Sequence, residues 1–271
     1  MDFLRLQGKT VVVFGVANRR SVAWAVSQVL AEVGVRLIYV VRDAEVRERN
    51  QALLGEAQVL TCNVENDVEV AALPAALRAI APGLDGVVHS IAFANFTGGL
   101  RPFHETAKAD FLQAMDVSCF SLVNLVNHLR PLLSPQASIV TLSISTTRMA
   151  SESYGYLGPI KAALDSTVAF LAKSLSVAVS PEIRVNAVGA GLLKTSSSAG
   201  IPGYIDAYLY AEQVIPRGRA LETREAADVV AFLLSPRASG INAQTVVVDA
   251  GMAINYFDRR LLRRTVGGQN G

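Results

Sequence analysis

The sequence predicts an α/β fold: a single-domain, doubly wound parallel sheet of about seven strands with helices on both faces. Three observations lead there. Seven short, β-branched apolar runs recur along the chain. They are continuous rather than alternating, and helical stretches fall between most of them. Continuous apolar runs suit strands buried on both faces, as in a parallel sheet. Strand–helix alternation then implies right-handed crossovers.

The runs are TVVVFG (10–15), RLIYVV (36–41), AQVLTC (57–62), LDGVVHS (84–90), SIVTLS (138–143), IRVNAV (183–188) and QTVVVD (244–249). In 21–33, Val22, Ala25, Val26, Val29, Leu30 and Val33 mark one apolar helical stripe, and Gly34 offers a stop. Residues 105–130, 156–179 and 223–235 read the same way. No linker, low-complexity tract or repeat of fixed period divides the chain, so residues 1–255 are expected to form one domain. Two stretches break the rhythm: FANFTGGLRPF (93–103) after the fourth strand and the long segment 194–219 after the sixth. Excursions at the carboxyl ends of parallel strands are where such sheets bind ligands.

Composition narrows the function classes. Of 271 residues, 51% are hydrophobic, enough for a large core. Lys and Arg total 25 against 23 Asp and Glu, so no field strong enough to seek nucleic acid or an anionic membrane follows. No run of about 18 apolar residues suggests a membrane span, and the opening MDFLRLQGKT lacks a signal peptide's apolar region. Cys62 and Cys119 lie far apart without CxxC spacing. Neither a disulfide framework nor a zinc site is expected, and a reducing cytoplasm fits best. His89, His104 and His128 are scattered and read as core or surface residues. Ser143 and Ser145 lack a G-x-S-x-G elbow, and Ser143 is expected to end strand five beside a ligand.

The first strand–helix turn, GVANRRSVA (15–23), has Gly15 but not a full GxGxxG. It still suits a pyrophosphate: Gly15 permits a tight turn, and Ser21 sits where a helix begins, beside free backbone N–H donors. Turns of this kind also join strands to helices in α/β proteins that bind no nucleotide. After the second strand, Arg42 precedes Asp43; an arginine here suits a 2′-phosphate and favours NADPH, while an acidic residue would suit NADH. An exposed arginine at a strand end is the plainer alternative. Asn63 ends strand three, where its amide meets an adenine edge. Ser90, Ile91 and Ala92 end strand four near the middle of such a cofactor.

The stretch SESYGYLGPIKAAL (151–164) holds one lysine and two tyrosines. On a continuous helix, Tyr154 and Lys161 fall about 20° short of two full turns apart, on one face, whereas Tyr156 points about 140° away. Tyr154 is therefore the expected partner, with Lys161 lowering its pKa. Taken alone, the pair reads better as a solvated lysine and a tyrosine at a helix rim.

GVANRRSVAWAV, HSIAFAN, SIVTLS, YGYLGPIKAAL, IRVNAVGAG and VVVDAG come in the order and at the intervals of the short-chain dehydrogenase/reductase superfamily, which has a Rossmann-type fold. Most of its members carry Tyr-x3-Lys, but here Leu157 stands four before Lys161. The Tyr-x6-Lys spacing and the Gly15, Ser21, Ala23 turn resemble the bacterial enoyl-acyl-carrier-protein reductases, over roughly residues 3 to 255. The resemblance implies hydride transfer from NADPH or NADH, NADPH slightly favoured, to the β-carbon of a trans-2-enoyl thioester. It also implies an acyl-carrier-protein substrate and a homotetramer. Tyr154 would stabilise the enolate and Lys161 would hold the nicotinamide ribose. Gly15, Ser21, Val22, Arg42, Asn63, Val64, Ser90, Ile91, Ala92, Leu192 and Thr195 would line the cofactor. Phe93, Ala94, Ile144 and Tyr204 would line the substrate, and 194–215 would form its lid. Lys194 and Thr195 match the family's basic-Thr pair.

The chain departs from the family at Ile144, where a second tyrosine is usual, at Leu192, where a proline is usual, and at Asn63, where Asp is usual. These departures bear on the substrate, so a paralogue with another acyl or carbonyl substrate, or a non-catalytic nucleotide-binding partner subunit, are the alternatives. The Arg-rich tail 256–271 reads as a flexible solvated end or, less simply, as an attachment to an acidic partner.

Overall fold

Apolar, β-branched runs form seven parallel strands in the computed structural model. It describes all residues except 1, 100, 152, 153, 256, 257, 260 and 264–271. The tail 256–271 therefore lies largely outside the described residues. The strands are β1 (Thr10–Phe14), β2 (Arg36–Val41), β3 (Gln58–Thr61), β4 (Leu84–His89), β5 (Leu133–Ile144), β6 (Arg184–Ala190) and β7 (Thr245–Val248), in the order β3-β2-β1-β4-β5-β6-β7. Every neighbouring pair is parallel. The order reverses between β1 and β4, the switch point beside which open α/β sheets bind ligands.

Alternate side chains of each strand feed two cores. Val12 and Phe14 of β1 and Ile139 of β5 pack under one face, with Leu122 and Leu125 and with Ile160 and Leu164. Val11, Val13 and Val140 pack under the other, with Val26, Leu30, Val230 and Leu234. Each fully buried aliphatic side chain contributes about 1.5–3 kcal/mol, so continuous apolar strands are what a two-sided core selects. The edge strands depart from that pattern. β3 and β7 are only partly buried, because each lacks a neighbour on one side. β5 starts five residues before the apolar run and shifts register against β4 between Leu84 and Gly86.

The helices are α1 (Val22–Glu32), α2 (Ala44–Arg49), α3 (Gln51–Leu54), α4 (Asp67–Ile80), α5 (Lys108–Met115), α6 (Ser121–Leu129), α7 (Leu157–Ala178), α8 (Ser196–Ala199), α9 (Tyr204–Val214) and α10 (Thr223–Leu234). A π-helical stretch, Asp116–Phe120, joins α5 to α6. The resulting segment, Lys108–Leu132, has the length and apolar composition to cross a membrane, which the sequence reading did not anticipate. One face of it packs on the core: Leu122, Leu125, Val126 and Leu129 are buried against the sheet, while Leu112 and Phe120 are exposed.

Candidate active site

The carboxyl ends of β1, β4, β5 and β6 open into one cavity of about 1160 Å³, completed by the start of α7 and by α8 and α9. It brings together residues that are far apart in sequence. Gly15, Ser21, Val22, Ser90, Ile91, Ala92, Phe93, Ala94, Ile144, Tyr154, Lys161, Leu192, Thr195 and Tyr204 all line it. Arg42, Asn63 and Val64 do not. They follow β2 and β3 on the same carboxyl edge, beyond β1. Arg42 is exposed and paired with Asp43 at 2.7 Å. The Asn63 side-chain oxygen accepts from the Glu65 N–H at 3.2 Å, closing a local turn, and Val64 packs against the core.

The first turn is shaped for close approach. Gly15 has φ +96°, and a Cβ there would lie 2.0 Å from the Ser90 carbonyl oxygen. The backbones of the β1 and β4 ends thus meet with no room for a side chain, leaving a cradle of main-chain groups at the start of α1. Ser21 is the N-cap residue of α1, but its hydroxyl donates to the Asn18 carbonyl at 2.7 Å and caps nothing. The first N–H groups of α1 remain uncapped by a side chain, and no acidic residue occupies its first turn. That is the arrangement a pyrophosphate requires, and these residues fit a dinucleotide.

Three tyrosines approach the cavity, and their hydroxyls differ. The Tyr156 hydroxyl accepts from the Asn95 N–H at 2.8 Å and donates to the Asn95 carbonyl at 3.0 Å. Its ring is buried against Phe96 and Phe111. The Tyr204 hydroxyl accepts from the Leu193 N–H at 2.9 Å and donates to the Leu193 carbonyl at 3.0 Å. Tyr204 presents only its ring to the cavity and pins the chain after β6. Among the described residues, the Tyr154 hydroxyl has no hydrogen-bond partner, so it is the phenol available to a ligand.

α7 does not reach Tyr154, because it starts at Leu157 with Tyr156 as its N-cap residue. Tyr154 sits in the preceding turn, where its N–H donates to the Ser151 carbonyl at 3.1 Å and Gly155 takes φ +50°. This turn, rather than helical periodicity, brings the phenol to the cavity that Lys161 lines. Nor is the phenol acidified by the lysine. Burial pushes the Tyr154 pKa up, and nearby Tyr204 raises it further, so Tyr154 keeps its proton and can donate.

Lys161 lies on the first turns of α7 and is 4% exposed. Its ammonium donates to the Leu142 carbonyl of β5 at 2.8 Å. Burial lowers its pKa to about 8, against an opposing pull from Asp165. Beside it on β5, the buried Ser143 hydroxyl has no partner among the described residues and lines the cavity. His89 is not part of this chemistry: it is buried between Thr141 at 2.8 Å and Ser121 at 2.9 Å, and burial lowers its pKa to about 3.

Other groups that shape the cavity carry no local sequence signal. Ser118, in the π-helical stretch, accepts from the Phe93 N–H at 2.8 Å and donates to the Phe93 carbonyl at 3.0 Å. With Tyr156 on Asn95, it fixes the loop that walls the cavity. No spacing rule reveals either contact. Arg101 and Arg148 also line the cavity. Thr195 lines it too, but its hydroxyl accepts from the Ser198 N–H at 3.1 Å and so caps α8. Lys194 is exposed, with its ammonium 5.3 Å from the centre of the Tyr208 ring.

A doubly wound parallel sheet, a glycine cradle at a helix start, and a free phenol sharing a cavity with a buried lysine define a nicotinamide-dependent oxidoreductase of the short-chain type. Within that class, the chain belongs to the enoyl-(acyl carrier protein) reductase family, whose family model matches residues 15–253. It is 37% identical to the enoyl-[acyl-carrier-protein] reductase [NADH] FabI of Nostoc sp. over 93% of this chain and 98% of that protein. It is 33% identical to the NADPH form from Staphylococcus aureus (strain MRSA252), over 92% and 98%. The crystal structure of the NADH enzyme from Aquifex aeolicus VF5 superposes with a TM-score of 0.88 at 31% identity, covering 93% of this chain and 99% of that one.

Proposed function

We propose that the chain reduces the carbon–carbon double bond of a trans-2-enoyl thioester on acyl-carrier protein, as in fatty-acid elongation, using NADPH or NADH. The observation that carries the reading is the unpartnered Tyr154 hydroxyl in a cavity that Lys161 also lines, within a chain of this family.

The cofactor supplies a hydride to the β-carbon when bound. The π electrons then shift toward the thioester oxygen, and a proton taken from solvent water at the α-carbon completes the saturated product. Tyr154 donates a hydrogen bond to the developing oxyanion. A preorganised donor in a water-poor site acts where charge appears, and the raised pKa keeps that donor protonated. Lys161 holds a ribose hydroxyl and adds positive potential near the same oxygen, with its direction fixed by the Leu142 carbonyl. Gly15, Ser21 and Val22 cradle the pyrophosphate, and Ser90, Ile91, Ala92, Leu192 and Thr195 flank the nicotinamide half. Arg42, Asn63 and Val64 receive the adenosine half. Phe93, Ala94, Ile144 and Tyr204 wall the acyl slot. Residues 1–255 act as one reductase domain, with 194–215 as a lid over the acyl chain.

The protein works as a homotetramer in the cytoplasm. Exposed Leu112, Phe120, Phe170 and Val177 on α5–α7, and Val247 on the β7 edge, support self-association; light scattering at working concentration tests it. The reaction is tested by following loss of reduced-nicotinamide absorbance with crotonyl- and acetoacetyl-thioesters, each with NADH and NADPH. Turnover of the crotonyl substrate alone is expected. Tight NADPH binding without turnover would instead mark a non-catalytic binding subunit.

A further inference from the structure

Among its described lining residues, the cavity holds three cations, Arg101, Arg148 and Lys161, and no carboxylate. The chain as a whole is almost balanced, 25 basic against 23 acidic residues, so this excess of one sign is local. A cleft lined by one sign of charge raises the local concentration of the opposite ion. Lys161 is buried and committed to the Leu142 carbonyl. The two arginines differ: both are exposed, and neither forms an ion pair among the described residues.

Arg101 and Arg148 come from segments other than the dinucleotide turn. Arg101 belongs to the excursion after β4, next to Phe103, and Arg148 to the loop after β5, next to Met149. These are the segments that wall the cavity around Tyr154. Two exposed, unpaired guanidinium groups flanked by apolar side chains suit an anionic end on an otherwise uncharged arm. We propose that Arg101 and Arg148 bind the phosphate of the pantetheine arm that carries the acyl thioester. This rests on the enoyl-thioester reading above. Coenzyme A and acyl-carrier protein share that phosphate, so the recognised group is the phosphate itself.

The test compares wild type with Arg101→Gln/Arg148→Gln on crotonyl-pantetheine, which lacks the phosphate, and on crotonyl-phosphopantetheine, crotonyl-coenzyme A and crotonyl-acyl-carrier protein. A rise in KM of about tenfold is expected for the three phosphate-bearing substrates and not for crotonyl-pantetheine. Equal changes on all four substrates, or none, would overturn the proposal. A change with coenzyme A alone would assign the arginines to its nucleotide phosphates and overturn it too. Calorimetric titration with phosphopantetheine gives a readout that needs no turnover: weaker binding by the variant supports the site, and unchanged binding rejects it. If wild type reduces none of the thioesters, the reaction assignment fails while this titration still decides the phosphate site.

Discussion

The Tyr156 hydroxyl is bonded to Asn95 in both directions, accepting from its N–H at 2.8 Å and donating to its carbonyl at 3.0 Å. That pair settles which phenol is structural: Tyr156 holds the wall after β4, and Tyr154, two residues earlier, is left free. Tyr154→Phe should lower kcat/KM on the order of 100-fold, the usual effect of removing one oxyanion donor, with little change in melting temperature. Tyr156→Phe should cost about 1–2 kcal/mol of stability by orphaning Asn95 and affect turnover less. Parallel kinetics and thermal melts check both, and equal losses of turnover would reject the assignment.

The buried Lys161 ammonium creates a conflict between stability and function. Its folded pKa of about 8 lies below its ordinary value of 10.5. Below pH 8 both folded and unfolded states carry the proton, and the fold bears the full desolvation penalty. Between about pH 8 and 10.5 the unfolded chain binds more protons, so stability rises with pH. Lys161→Met should therefore raise the melting temperature at pH 7 despite losing the Leu142 contact, and the gain should shrink as pH climbs through that window. Activity should move the opposite way: wild-type kcat/KM falls above about pH 8 as the ammonium deprotonates, with no tyrosine limb beneath it. A variant less stable than wild type at pH 7 would contradict the penalty.

The sheet was legible because two-sided burial writes itself as unbroken Val and Ile runs. Its edges were less so: β3 and β7 keep the same residue types with half the cover. Most of the cavity-lining set could be read because its members follow a strand or open a helix, positions that hydrophobic patterning marks. Tyr154 was found through its spacing to Lys161, yet for the wrong geometric reason, since a turn intervenes before α7. Ser118 and Arg148 were invisible. Their roles depend on how the π-helical stretch and the loop after β5 pack across the sheet, and no local pattern encodes such long-range placement.

Gly15 makes the tightest backbone approach in the site. At Gly15→Ala the new methyl would sit 2.0 Å from the Ser90 carbonyl oxygen, at φ +96°. Only movement of β1 against β4 could relieve that clash. The expected cost is about 2–4 kcal/mol in melting experiments, with dinucleotide binding lost even at temperatures where the protein stays folded. Gly34→Ala is the control: it shares a positive φ, +75°, and its nearest new neighbours are Gln7 atoms at 3.2 Å and beyond. It should cost about 1 kcal/mol and leave binding alone. Retained NADPH fluorescence enhancement in Gly15→Ala would refute the cradle.

Cofactor choice turns on Arg42 and its neighbour. Arg42 is exposed and held by Asp43 at 2.7 Å, while Asp43 also accepts the Val46 N–H at 2.8 Å to cap α2. The Val46 N–H and, less strongly, Arg42 hold the Asp43 carboxyl below its usual pKa. The carboxylate thus stays charged and competes with any phosphate for the guanidinium. Arg42→Ala should raise the Kd for NADPH about tenfold and spare NADH, because a charge-assisted contact to the 2′-phosphate is removed. Asp43→Asn keeps an acceptor for the cap but removes the competing charge, so it should tighten NADPH, most at low ionic strength and less as salt screens the contact. Fluorescence titrations of both cofactors at two salt concentrations give the ratio. If Arg42→Ala leaves that ratio where wild type has it, the 2′-phosphate is read elsewhere.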